Sequence, residues 1–248
     1  IYRLPLKESI LLPGSHCTKC NHILSWNENI PILSWILLRG KCRNCKQKIS
    51  LIYPVIELLT GSLFLCNNYS TPSRFLTESE TITTFCGWLF ISILLTISIL
   101  DIKYLWIPDS VIKVGVLFAI FISIFIGIKY LNPLSYLLIS ETIIAACLGY
   151  LFFHFIRVIG LKIYKKPVMG SGDAKLAALI GSWLGLKGLF ISTWLAFYFA
   201  GLFSIVGLIS RKLKKGQKIA FGFFLSLSGL CVWYFGTQNL SNIIFISK

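Results

Sequence analysis

Two carboxylates stand where apolar sequence ought to exclude them. Asp173 lies in Gly170-Ser171-Gly172-Asp173-Ala174-Lys175, at the mouth of an apolar helix, and Asp101 closes an apolar run from Thr84 to Leu100. The chain holds only one other aspartate, Asp109. Ionisable groups placed at membrane depth are costly and mark function by default. Two carboxylates brought close together resist double ionisation and share a proton. Such a pair offers one base and one acid, the equipment that adds water to a peptide bond. Asp101 and Asp173 are therefore assigned as a catalytic dyad that meets at a membrane surface.

The neighbours of each carboxylate sharpen the assignment. Gly170 and Gly172 remove side chains beside Asp173, so a substrate backbone can approach closely. Lys175 either neutralises charge near Asp173 or snorkels to the surface. The bland reading of Asp173 is an N-cap of the helix that follows. Asp101 sits at the C-terminal end of its span, where the helix dipole disfavours a negative charge. This suits the protonated partner of a dyad, whereas the bland reading is an interfacial acid paired with Lys103. Asp109 follows Pro108 at the start of the next span and reads as a capping acid rather than a catalytic one.

A second constellation lies near the N-terminus. Cys17-Thr18-Lys19-Cys20 and Cys42-Arg43-Asn44-Cys45 are two Cys-x-x-Cys pairs separated by 21 residues. Four thiolates suit a tetrahedral, closed and hence structural zinc site, with disulfides or free thiols as the alternatives. His16 and His22 flank the first pair and read as bystanders. Cys66, Cys86, Cys147 and Cys231 fall singly in or beside apolar runs and read as small core residues.

These residues must be positioned by a membrane protein. The chain is 56% hydrophobic and 13% charged over 248 residues, about half the charge of an average soluble domain. The expected fold is all-α, a polytopic helical membrane protein with a small N-terminal cytoplasmic zinc-ribbon-like module at residues 1–51. Residues 52–248 form the multi-span domain, with spans expected at 52–66, 82–100, 111–128, 134–159, 174–186, 189–210 and 219–236. With 1–51 in the cytoplasm and alternating spans, 20 of the 24 basic residues fall on the cytoplasmic side and 4 on the other. That satisfies the positive-inside rule and places both Asp101 and Asp173 at the cytoplasmic face. The net charge of +15 is thus read as topology and attraction to anionic lipid, not as nucleic-acid binding. The polar loop 67–81 suits the outer face, and no internal repeat is evident. Pro54 fits the first turn of a helix at 52–66, and Glu57 reads either as a first-turn acid or as a substrate contact.

In their order and content these pieces resemble the type IV prepilin peptidases, the GxGD aspartic proteases of the bacterial inner membrane. The matching segments are Arg3-Leu4-Pro5, both cysteine pairs, Glu28-Asn29-Ile30-Pro31-Ile32-Leu33-Ser34-Trp35, Ile49 through Glu57, Asp101 through Pro108-Asp109, and Gly170 through Leu176. The family begins with a further membrane helix before the Arg-Leu-Pro segment, so this chain is expected to be one helix short of an eight-span parent.

The resemblance implies substrates: prepilins or pseudopilins of type IV pilus and type II secretion systems, cut after Gly on the cytoplasmic side. It also implies methylation of the new N-terminus with S-adenosylmethionine. The sequence itself shows no glycine-rich cofactor loop, so methylation rests on analogy. The competing readings are a peptidase without methyltransferase activity, a transporter with an aspartate proton relay, and a non-catalytic assembly platform. A transporter would show paired broken spans in two repeats.

Overall fold

The computed structural model describes residues 3–6, 8–9, 14–69, 80–130, 133–165, 168–214 and 216–245. Most of the expected outer loop 67–81 lies outside these residues. The chain divides into two compact units, Ile1–Cys66 and Asn67–Lys248.

The N-terminal unit holds the cysteines, a short helix α1 (Leu33–Leu37) and helix α2 (Ile52–Cys66). Pro54 does sit in the first turn of α2, but Glu57 is one turn further on, so the first-turn reading of Glu57 is corrected. Its carboxylate instead accepts the backbone N–H of Ile32 at 2.8 Å. Ile32 precedes α1 with a positive φ of 63°, a strained conformation for a β-branched residue. Glu57 thus stabilises the turn that carries the Pro31-Ile32 segment. Trp35 packs under the left-handed Gly40, where a Cβ would lie 2.7 Å from its ring.

The second unit is built from α3 (Glu80–Tyr104), α4 (Asp109–Tyr130), α5 (Pro133–Tyr164), α6 (Ser171–Ile209), α7 (Phe221–Phe235) and α8 (Thr237–Phe245). Four of these, α3 to α6, are long and apolar enough to cross a membrane. This makes the chain a multi-pass helical membrane protein. Helix α2 has 15 residues and spans about 22 Å, less than the ~30 Å hydrocarbon core.

Helix α6 has 39 residues, about 58 Å if straight, which is twice what one span needs. It breaks at Gly185, whose φ of 72° and ψ of −175° are not helical. A Cβ on Gly181 would lie 2.4 Å from the Ala145 carbonyl oxygen, and one on Gly149 would lie 2.7 Å from that of Ala177. The first half of α6 therefore runs antiparallel to α5. Beyond the break, Leu189 reaches Gly149 and Phe197 stacks on Phe153 at 6.0 Å, so the second half runs parallel to α5. The chain reverses at Gly185, and the expected spans 174–186 and 189–210 are the two arms. Glu141 of α5 accepts the N–H of Leu186 at 3.2 Å, capping the second arm.

Small residues allow this close α5–α6 contact, as helix packing in lipid requires. At the end of the bundle nearest Gly185, Phe90, Trp183 and Trp233 form a fully buried aromatic cluster, with Phe90 and Trp183 stacked at 5.0 Å. Trp183 donates to the Gly115 carbonyl at 3.0 Å and Trp233 to Asn67 at 2.8 Å. Buried indole N–H groups are thereby satisfied.

Candidate active site and metal centre

The aromatic cluster fixes the register of three helices, and that register brings the aspartates together. From Phe90 to Asp101, from Trp183 back to Asp173 and from Trp233 back to Phe223 is 10 or 11 residues in each case, about 15 Å along a helix. The C-terminal end of α3 and the N-terminal ends of α6 and α7 thus arrive at one level.

There the Asp101 carboxylate accepts the backbone N–H of Phe223 at 3.1 Å and draws a second hydrogen bond from Gly222. The dipole of its own helix disfavours a charge at this end, but the free N–H groups of α7 supply what is missing. Asp173 lies in the first turn of α6, and its Oδ2 accepts the N–H of Gly170 at 3.0 Å. The N-cap reading of Asp173 is corrected: Gly170 is the N-cap, and Asp173, three residues on, reaches back to its N–H with one oxygen. Both residues are buried, at 5% and 7% exposure, and the glycines beside them, Gly222 at Asp101 and Gly172 at Asp173, both close on Ile107.

Ile107 is the wedge between the two supports. A Cβ on Gly172 would lie 3.0 Å from the Ile107 Cβ, and one on Gly222 would lie 2.8 Å from its Cδ1 and 2.9 Å from Asp101 Oδ2. Gly172 is needed for this packing. Sequence reasoning missed Gly222, Phe223 and Ile107. The one signal was a glycine inside the apolar run Phe221-Gly222-Phe223, which marks close approach of another group.

Lys175 and Asp109 pair with one another. The Lys175 ammonium lies 2.6 Å from both oxygens of Asp109, and the pair is well exposed. Lys175 therefore ties the start of α6 to the start of α4 instead of neutralising Asp173. Asp109 is the first residue of α4, as its capping role requires. The interfacial pairing of Asp101 with Lys103 is not formed.

In the N-terminal unit the four expected ligands converge. The Sγ atoms of Cys17, Cys20, Cys42 and Cys45 all lie within 4.8 Å of one another, with Cys17–Cys45 at 3.8 Å and Cys20–Cys42 at 4.0 Å. A tetrahedron of thiolates about 2.3 Å from one ion has edges of about 3.8 Å. The donor set fits a metal ion, and none of the four is in a disulfide.

The two knuckles share one backbone pattern. Cys17 N–H bonds to His22 O and Asn21 N–H to Cys17 O, while Cys42 N–H bonds to Gln47 O and Lys46 N–H to Cys42 O, all within 2.9–3.0 Å. Asn21 and Lys46 both have positive φ, and the bridges His16–Ile23 and Lys41–Lys48 close the two loops. The two Cys-x-x-Cys pairs read from the sequence thus fold into the same local turn.

The backbone N–H groups of Cys20 and Lys19 hold the Cys17 thiol down at about 6. Cys45 is raised to about 11: the N–H of Gln47 lowers it, but burial and the three other sulfurs outweigh that. Protons on these sulfurs compete with a bound metal. Neither histidine joins the cluster. His22 meets Glu28 at 3.3 Å and His16 meets Arg3 at 3.2 Å.

Residues 1–71 match the bacterial peptidase A24 N-terminal domain, and residues 88–205 match the type IV leader peptidase family. The chain is 34% identical over 189 residues to a prepilin leader peptidase/N-methyltransferase of Myxococcus xanthus, covering 76% of this chain and 52% of that protein. It is 33% identical over 230 residues to a type 4 prepilin-like proteins leader peptide-processing enzyme of Escherichia coli, covering 92% and 78% respectively. It is 28% identical over 239 residues to a prepilin leader peptidase/N-methyltransferase of Bacillus subtilis, covering 96% and 88%. The chain thus spans about half the length of the Myxococcus protein and most of the other two. No solved structure matches.

Proposed function

This chain belongs to the type IV leader peptidase family, and from that premise we propose that it is a membrane aspartic endopeptidase with Asp101 and Asp173 as its catalytic pair. The supporting observation is the convergence of these two buried carboxylates, 72 positions apart in sequence, each held by backbone N–H groups from a helix start. One carboxylate takes a proton from a water held between them while that water's oxygen attacks the peptide carbonyl. The other gives its proton to the departing amine. The net change is one water consumed, one carboxylic acid and one amine released, with the pair returned to its shared-proton state.

The substrate class is the leader segment of prepilins or pseudopilins, cut after Gly at the cytoplasmic face of the bacterial inner membrane. The basic-residue asymmetry supports that orientation, with residues 1–51 and the dyad on the cytoplasmic side and membrane lipids around the spans. Zinc is the metal that best suits four cysteine thiolates in a closed tetrahedron. It would hold the two knuckles together and take no part in hydrolysis.

Methylation of the new N-terminus completes the proposed activity, following the relatives' names. S-adenosylmethionine would supply the methyl group, but among the described residues no side-chain set marks its site, and none is given a role towards it. A transporter reading is not favoured: a proton relay does not call for two carboxylates converging at one level of the bundle. Incubating the purified protein with one prepilin and following leader release tests the proposal; absence of cleavage with intact substrate would overturn it.

A further inference from the structure

We propose that Arg157 of α5 is a substrate-docking residue that binds a carboxylate carried by the peptide being cleaved. The proposal rests on the peptidase reading above and extends it to how the substrate is held.

Arg157 lies inside the membrane-spanning stretch Leu137–Tyr164, on the face of α5 that packs against α6. Phe153, one turn before it, is fully buried and meets the start of α7 through Phe221 at 5.9 Å. Gly160, three residues after it, packs on the segment leading into Asp173, since a Cβ there would lie 2.9 Å from the Val168 Cβ. Residues at these spacings share a helix face. Arg157 therefore sits between the level of the α7 start, which holds Asp101, and the level of the loop that delivers Gly170 and Asp173.

Arg157 is half-buried, and its Nε is fully buried with no hydrogen-bond partner. No carboxylate among the described residues pairs with it. A guanidinium does not lose its proton in a protein, so it cannot relieve this cost by neutralising. A buried donor left unpaired is costly, and a charged residue facing the interior of a helical bundle marks a ligand or substrate path. With 24 basic residues against 9 acidic, the missing acid is more readily supplied from outside the chain. The planar fork of donors matches a carboxylate. What comes to this part of the bundle is the peptide substrate.

Two carboxylates of that peptide fit the chemistry. One is an acidic side chain close to the cut; the other is the α-carboxylate that hydrolysis creates on the released leader. The test uses the full-length protein in lipid vesicles, one prepilin, and versions of it with each acidic residue near the cut replaced by its amide. A second arm compares inhibition by the leader peptide as free acid and as C-terminal amide.

For wild type, removing the docked carboxylate should raise KM, or weaken inhibition, by about tenfold. In Arg157→Gln that ratio should fall to about one, and Arg157→Lys should restore part of it. Because each ratio is taken within one variant, it does not depend on how much protein folds. A ratio confined to the substrate arm identifies the side chain, and one confined to the inhibitor arm identifies the product carboxylate. If every ratio is the same in wild type and Arg157→Gln, Arg157 only anchors α5 at the lipid headgroups and the proposal is wrong. If wild type itself cuts no prepilin, the peptidase reading falls and takes this one with it, an outcome distinct from cleavage with unchanged ratios.

Discussion

The carboxylate of Asp101 accepts the backbone N–H of Phe223 across 122 residues of sequence at 3.1 Å. Through this bond the start of α7 becomes part of the site that α3 and α6 supply. It also explains how an acid persists at the negative end of its own helix dipole: another helix offers its positive end.

Gly222 has no room for a side chain at this contact. In Gly222→Ala the new methyl would meet Asp101 Oδ2 at 2.9 Å, so the carboxylate itself must move. Leader cleavage should fall by at least tenfold, since sub-ångström displacement of a catalytic group is costly. Gly201→Ala, where a methyl meets nothing within 4 Å, should cleave normally. Comparing the two at matched protein level checks the claim, and an active Gly222→Ala would show that α7 does not hold the site.

The four cysteines should carry about one zinc per chain, measured by elemental analysis. Cys17→Ser and Cys42→Ser should each lower that content and loosen the N-terminal unit. Acid should release the metal, because protons compete for the thiolates. Retention of full zinc by a Cys17/Cys42 double serine variant would refute the site.

Glu28 gives the same unit a further acid sensitivity. The N–H of Ser25, at 2.9 Å, and then the Ser25 hydroxyl, at 2.8 Å, hold its carboxyl below the usual carboxylate range, with a smaller part from His22. A lowered native pKa adds stability that is present above the unfolded value of about 4.3 and lost as pH falls through the native value. Glu28→Gln should therefore destabilise the unit at pH 7, and its deficit relative to wild type should shrink as pH drops below 4. Thermal unfolding at several pH values measures this; a deficit independent of pH would contradict it.

Much of this was legible in the sequence, and the limits have physical causes. Long apolar runs, glycines beside an acid and paired cysteines are local signals, so the apolar helices, the two buried aspartates and the four converging cysteines could be singled out from them. The partner of Asp101 could not. Phe223 contributes a backbone N–H that any residue possesses, and only the Phe90–Trp183–Trp233 packing sets the register that delivers it. Lys175 pointed to the wrong acid because Asp173 is near in sequence, whereas Asp109 is near in space. Glu57 was placed in the first turn by counting from Pro54, whereas α2 begins two residues earlier, at Ile52.

The expected orientation is open to direct labelling. A single cysteine placed in 69–75 should react with an impermeant thiol reagent applied from outside the cell, and one in 212–216 should not. The reverse pattern would put residues 1–51 and the dyad on the wrong side for a cytoplasmic peptidase.

Asp101 and Asp173 working as one unit is the central claim, and asparagine scanning tests it most directly. Asn keeps the size of Asp but cannot exchange its proton. Asp101→Asn and Asp173→Asn should each abolish nearly all leader cleavage, with the double variant scarcely worse than either. Asp109→Asn should keep most activity, since it breaks only an exposed ion pair worth about 0–1 kcal/mol. The deciding measurement is the prepilin cleavage rate of these variants at equal protein level. The account predicts two dead single variants and an active Asp109→Asn; normal cleavage by Asp101→Asn alongside a dead Asp109→Asn would contradict it.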